Sequence, residues 1–379
     1  MLTPKRDIYL SLAGIVYSLI LNNNYKDNKM KTTIHTKQFK NRVTIASNYV
    51  PKGKDDKQVI SFYYISKEFL QIKATDFIET IEFKINCIDL DQFEPFSVNG
   101  KQLAQILKVI KSDTFSLEVD DSFLHIKDGR NKAKIEKYAD VVDFEIEDKV
   151  INTFELTQTI IAALRNSQHS IDLNCPKIEL TGALIDAKNG YLNVVSSDTR
   201  RLTVQNVSTS DKNYEFILPL QAINTISKYF SSSSVTVNIT ESRIFVANDT
   251  NRYSCKKING IYVDYNRVIP KTFKLTVDVD KALFYSLIND ASVIDKQVIV
   301  DISNNTIKAS AVDKSVTCEE PLENIEGINM IMVFNSRYLL EFLDICHDGD
   351  ITINFNDAKL PILLTQGNLT EVIMPIVLE

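Results

Sequence analysis

Apolar residues recur along this chain at helical spacing in three stretches that share one register. In GKQLAQILKVIK (100–111), Leu103, Ile106, Leu107 and Ile110 fall on one face and Lys101 and Lys108 on the other, which predicts an amphipathic helix. LPLQAINTISKYF (218–230) repeats the stripe with Ile223, Ile226, Ser227 and Phe230, and sets Lys228 where Lys108 stands. FNSRYLLEFLDIC (334–346) repeats it again with Leu339, Phe342, Leu343 and Cys346, and sets Arg337 where Lys101 stands. An earlier helix is predicted in each repeat from the apolar pairs Phe39 and Val43, Ile160 and Leu164, and Leu283 and Leu287.

A strand pattern repeats in step. FLQIKATDF (69–77), YLNVVSSDT (191–199) and TIKASAVDK (306–314) alternate apolar and polar positions and each reaches a turn bearing an aspartate, Asp76, Asp198 or Asp313. Three elements kept in order three times predict one supersecondary unit copied along the chain. Strands such as those in FSLEVDDSFLHIKDGRNKAKI (115–135) lie at hairpin distance, which favours antiparallel sheets. The expected class is α+β, two helices against antiparallel sheets in each of three domains at 30–147, 148–272 and 273–379. The serine run 231–234 falls inside a repeat and reads as a loop.

Residues 1–29 stand outside this pattern. The apolar run IYLSLAGIVYSLIL (8–21) is shorter than the roughly 18 to 20 residues a membrane span needs, and no small-residue cleavage site follows it. It reads as an N-terminal extension outside the fold, with the functional chain starting at Met30. Five scattered cysteines without C-x-x-C spacing read as reduced thiols, so the expected compartment is the cytoplasm.

The chain carries 43 basic and 49 acidic side chains, a net charge of −6. A molecule of that balance does not hold nucleic acid by overall charge and needs a localised basic face. Lys37, Lys40, Arg42, Lys101, Lys108, Arg165, Lys228, Lys281 and Arg337 are the candidates for one, on the outer sides of the repeated helices. Any single such helix reads as a solvated surface; the recurrence of the basic position is what favours DNA. Asp344, at the position of Lys108, departs from it. Phosphate contacts of this kind carry no sequence information and suit sliding. Two chains joined head to tail would give six units and close a ring around a duplex.

The sequence offers no catalytic constellation. It has no G-x-x-x-x-G-K-[ST] loop, no H-E-x-x-H and no nucleophile elbow, and the three repeated aspartates read as turn formers, not as a carboxylate cluster. Neither a metal nor a cofactor is expected.

Several ordered motifs from Met30 to the C-terminus resemble a known family, the bacterial sliding clamp or β subunit of DNA polymerase III. KATD (73–76), LTGALID (180–186) and VSSDTRRLTV (195–204) resemble its strand and turn segments, NGIYVDYNRVIP (259–270) is similar to D-G-x-F-P-D-Y-x-x-V-I-P, and VIMPIVL (372–378) to V-x-M-P-M-x-L. The resemblance implies a homodimeric ring around duplex DNA, loaded by an ATP-driven clamp loader. It also implies a groove for short linear peptides of the replicative polymerase α subunit, loader subunits, other polymerases and repair proteins. By position that groove would be Leu180, Ser197, Thr199, Arg200, Arg201, Leu202, Val263, Arg267, Val268, Val372, Ile373, Met374, Pro375 and Ile376. Apolar members would hold leucine and phenylalanine anchors while the arginines hold carbonyls or acidic side chains. The dimer contact would set Val293 and Ile294 against Ala133 and Ile135. Thr199 stands where the family usually has Gly, Arg200 where His is common and Val263 where Pro is usual. The alternative is a clamp-like scaffold that binds peptides without forming a stable ring.

Overall fold

The computed structural model describes residues 30–53, 57–141, 149–188, 190–208, 213–230, 234–321 and 329–377. The expected extension at 1–29, the boundary at 147–148 and the loop at 231–233 lie outside them. The chain divides into two compact units, residues up to 146 with 250–253, and 147–249 with 254–379. Among the described residues no helix is long and apolar enough to cross a membrane.

Among the described residues there are six α-helices: α1 (Thr36–Ala46), α2 (Gly100–Lys108), α3 (Gln158–Asn166), α4 (Leu220–Tyr229), α5 (Lys281–Ala291) and α6 (Ser336–Ile345). They pack in pairs, α1 on α2, α3 on α4 and α5 on α6, one pair for each repeat read from the sequence. Their starts follow from capping. The side chains of Asn99, Thr157, Asp280 and Asn335 accept hydrogen bonds from first-turn amides of α2, α3, α5 and α6, a contact worth about 1 kcal/mol per helix.

The predicted stripes are the buried ones: Leu103 and Leu107, Ile223 and Ile226, and Leu339, Phe342 and Leu343 are all within the core. One register is corrected. Leu283 is 49% exposed and Phe284, with Leu287 and Ile288, faces inward instead, because the Asp280 cap starts α5 so that positions 284, 287, 288 and 291 form its inner stripe.

In the first unit, eight strands pair antiparallel in the order 30–35, 114–119, 123–128, 131–138, 96–99, 59–66, 69–75 and 79–88, and a further pairing of Thr33 with Ile88 links the two ends. The second unit contains an eight-stranded antiparallel sheet in the order 214–219, 182–188, 191–197, 201–208, 369–373, 362–366, 350–355 and 275–280. Its middle pairing joins the second repeat to the C-terminal strand, with Arg201 opposite Ile373, Leu202 opposite Val372 and Thr203 opposite Glu371. Gly182 is required within this sheet, since a Cβ there would stand 2.4 Å from the Leu218 carbonyl oxygen. A four-stranded sheet in the order 317–321, 306–311, 297–303 and 329–335 covers the other side of the α5/α6 core.

The repeated aspartates do form turns. Asp76 Oδ1 accepts from the amides of Ile78 and Glu79, Asp198 Oδ1 from those of Arg200 and Arg201, and Asp313 Oδ1 from that of Ser315. In all three the next residue is left-handed: Phe77 at φ 70°, Thr199 at 76° and Lys314 at 58°. A β-branched residue is the least suited to that region. Thr199→Gly is therefore expected to raise stability by about 1 kcal/mol, read as a higher melting temperature of the full chain; an unchanged or lower one would show that Thr199 sits there without strain.

Candidate peptide groove and its supporting ion cluster

The expected groove residues lie around the seam between strands 201–208 and 369–373. Leu180 closes a short 3-10 turn (Ile178–Leu180), Val263 precedes another (Tyr265–Arg267), and the chain past Ile373 is fixed by two backbone bonds, Met374 N to the Arg200 carbonyl at 2.9 Å and Ile376 N to the Val333 carbonyl at 2.7 Å. Leu180, Leu202, Val263 and Val372 meet in one apolar cluster. The same cluster contains Tyr262, Tyr265 and Leu363, with Cys175, Ile269 and Phe273 packed against it, none of which was among the expected groove residues. Tyr262 and Ile269 lie inside the quoted NGIYVDYNRVIP and were legible there; Leu363 carries no local signal and is placed only by strand pairing.

Around this cluster the surface is open. Val268 is 45% and Met374 40% exposed, Thr199 and Arg200 are exposed, Pro375 is buried and Ile376 half-buried. Arg267 extends into solvent and pairs with Asp264 at 2.9 Å.

Three expected groove members have other roles. The Arg201 side chain is fully buried. Its Nε meets Asp198 Oδ2 at 3.1 Å, Nη1 meets Glu341 Oε2 at 2.5 Å, Nη2 donates to the His169 carbonyl, and the guanidinium lies 4.4 Å from the Tyr338 ring centre. It ties the second repeat to α6, and its full burial keeps it from a peptide. Ile373 belongs to the core formed with α5 and α6, because its neighbour Val372 takes the groove side of the strand and side chains alternate. The Ser197 hydroxyl donates to the Arg201 carbonyl at 2.7 Å and accepts from the Thr199 amide at 3.2 Å, holding the turn.

Beside Arg201 lies a second buried pair. His169 Nδ1 is 2.6 Å from the Asn166 carbonyl oxygen, and Nε2 is 3.1 Å from Glu371 Oε1 and 3.2 Å from Oε2. Both ring nitrogens thus face acceptors, which fits an imidazolium donating from each. The Glu371 carboxylate, with no solvent exposure, also accepts from the Thr203 hydroxyl at 2.7 Å. Burial disfavours the charged ring, and Arg201 nearby opposes it too, but the Glu371 carboxylate outweighs both and raises the His169 pKa above its ordinary 6.5.

The basic candidates divide. Lys37, Lys101, Lys108, Arg165, Lys228 and Arg337 are exposed. Three of the nine contact the end of a neighbouring helix: Lys40 Nζ donates to the Lys108 carbonyl at 3.4 Å, Arg165 Nη2 to the Ser227 carbonyl at 3.4 Å and Lys281 Nζ to the Cys346 carbonyl at 3.0 Å. In each repeat the first helix therefore supplies a cation to the negative end of the second. Lys281, with a side chain only 20% exposed, is corrected from a DNA-facing residue to a helix cap. Arg42 lies over the Phe83 ring at 4.7 Å, and Arg337 pairs with Glu341 at 3.2 Å. Of the expected dimer residues, Val293 and Ile294 are 76% and 60% exposed, whereas Ile135 is 1% exposed and is corrected to a core position; Ala133 is half-buried.

Removing one partner of a buried ion cluster leaves the others uncompensated, so Arg201→Ala is expected to cost about 3 to 5 kcal/mol of stability. Chemical denaturation measures it, and a loss confined to peptide affinity would contradict the structural role. The raised His169 pKa stabilises the fold fully below pH 6.5, and that contribution is lost as pH rises through the higher folded value. Stability measured from pH 6 to 9 should fall in this window, and His169→Gln should remove that component; an identical profile in the variant would contradict it.

Known proteins share this fold. The sequence profile described as DNA polymerase III beta subunit, central domain, matches residues 155–264, and that described as DNA polymerase III beta subunit, C-terminal domain, matches 266–377. The beta sliding clamp of Helicobacter pylori strain J99 is 23% identical over 354 residues, 89% of this chain and 94% of that protein. The crystal structure of a Helicobacter pylori beta clamp bound to a DNA ligase peptide superposes with a TM-score of 0.84 at 22% identity, over 92% of this chain and all of that one. A Pseudomonas aeruginosa sliding clamp bound to griselimycin does so with a TM-score of 0.83 at 18% identity, over 92% and 100%. Two profiles covering more than half of the sequence, with one fold along nearly its whole length, place the chain in the DNA polymerase III beta subunit family, the beta sliding clamps.

Proposed function

We propose that this chain works as a sliding clamp: a non-catalytic processivity factor that encircles duplex DNA as a head-to-tail homodimer. It holds the replicative polymerase α subunit, clamp-loader subunits, other polymerases and repair proteins through linear peptides. The observation that carries the peptide role is the seam of strands 201–208 and 369–373, which gathers Leu180, Leu202, Val263 and Val372 beneath exposed Val268 and Met374. An apolar cluster next to an exposed, adaptable methionine suits leucine and phenylalanine anchors. Arg200 and Arg267, both exposed, are the groove cations free of the core.

The three repeats act as domains at 30–147, 148–272 and 273–379. Lys37, Lys101, Lys108, Arg165, Lys228 and Arg337 provide the phosphate-facing charge, and because the whole chain carries a net charge of −6 the remaining surface is acidic and keeps DNA off. Ring closure uses two sheet edges. Strand 131–138 pairs with 96–99 only at Tyr138 and Lys137, leaving the stretch with Lys132, Ala133 and Lys134 open on that side among the described residues. Strand 317–321 is an edge bearing Glu319 and Glu320. Pairing one copy's lysine-bearing edge with the other copy's glutamate-bearing edge supports the head-to-tail contact, with Val293 and Ile294 as apolar additions. Five free cysteines support a cytoplasmic location.

Loader-dependent retention on nicked circular DNA tests the topology. The protein should stay on circles and be lost once the DNA is cut to an open linear form; equal retention on both would mean adhesion without encirclement.

A further inference from the structure

Next to the groove lies a recess of about 480 Å³ that none of the expected groove residues except Val263 lines. It holds three carboxylates, Asp186, Glu215 and Asp264, against one ammonium, Lys188. Asp186 has a side chain only 10% exposed. Its Oδ2 accepts from the Tyr265 hydroxyl at 2.8 Å, and its Oδ1 pairs at 3.5 Å with the Lys188 ammonium, which is also bonded to Glu215. One ammonium thus serves two carboxylates, which leaves the base of the recess with an excess of negative charge. The walls have the opposite character: Ile261 is 88% and Tyr191 57% exposed, side chains that apolar contact would cover. An acidic base under an exposed aliphatic and aromatic wall matches a long side chain with an apolar stem and a cationic head.

The occupant follows from continuity. Tyr262 and Val263 line this recess and also pack in the apolar cluster of the groove. A peptide anchored over Val263 therefore has the recess beside it. We propose that the recess is a second subsite of the peptide groove that takes a lysine or arginine flanking the apolar anchors of the partner peptide, its stem along Ile261 and Tyr191 and its charge toward Glu215 and Asp186. This rests on the peptide-groove reading and adds to it a preference for basic flanking residues. Val263 shapes the opening, and Asp264, although paired with Arg267, adds to the negative field.

The test uses the full chain and fluorescent peptides with identical leucine and phenylalanine anchors, carrying lysine, norleucine or glutamate at single flanking positions on either side. At one flank the lysine peptide should bind roughly fivefold to tenfold tighter than the norleucine peptide at low salt. That gap should collapse in Glu215→Gln and in Asp264→Asn, while Glu241→Gln, the same charge change at an exposed position elsewhere, should leave it intact. Equal binding of lysine and norleucine peptides at every flank, with the anchors still bound, would overturn the subsite and leave the groove standing. A gap that shrinks equally in Glu241→Gln would also overturn it, as general attraction to an acidic protein. If the norleucine peptide itself fails to bind, the groove reading fails and the subsite with it.

Discussion

The candidate site depends on one buried guanidinium. Arg201 sits at the start of a strand that pairs with the last strand of the fold, and it reaches across the seam to Glu341 on α6 while holding Asp198 in its own turn. Taking such a charge out of water is expensive and is offset only where its partners converge with good geometry. Here they come from the second and third repeats, and His169 with Glu371 adds a second cross-link of the same kind. The consequence is positional: the backbone from 371 to 374 is held against 200–203, and Leu202 and Val372 on one side of that ladder are fixed in the apolar cluster with Leu180.

The threefold repeat shows what is copied and what is only re-created. The aspartate turn is copied, down to the left-handed residue that follows it at 77, 199 and 314. The cation at the end of the second helix of each pair is re-created from different places: the fifth residue of α1, the eighth of α3 and the first of α5. A helix terminus needs a positive charge within reach, and several positions on a neighbouring helix can deliver it. Selection on that physical requirement explains why Lys40 and Lys281 look like members of a basic face in sequence, while Arg165 reaches a helix end and remains exposed.

This marks where the sequence could be read and where it could not. Helices and strand turns were legible because amphipathic period and Asx chemistry are local. That Leu180, Leu202, Val263 and Val372 belong together was legible because each lies within a recognisable motif. Arg201 was misread because the Asp198 turn leaves Arg200 exposed and starts the strand at Arg201 with its side chain inward, and nothing in DTRRL says which arginine is buried. Its deciding partner, Glu341, is far along the chain, as Glu371 is from His169. Leu283 against Phe284 was a shift of one position, decided by where Asp280 starts the helix. Ile135 and Ile373 failed for the same reason as Arg201, since an apolar residue on a strand can face the core or an interface and only the three-dimensional pairing decides.

The most direct test of the central claim, that the seam builds the groove, is amide hydrogen exchange of the full chain with and without a leucine- and phenylalanine-bearing peptide. The account predicts added protection at 178–180, 199–202, 262–268 and 372–376, and none at 30–141. Protection confined to other segments, or none at the seam with the peptide bound, would contradict it.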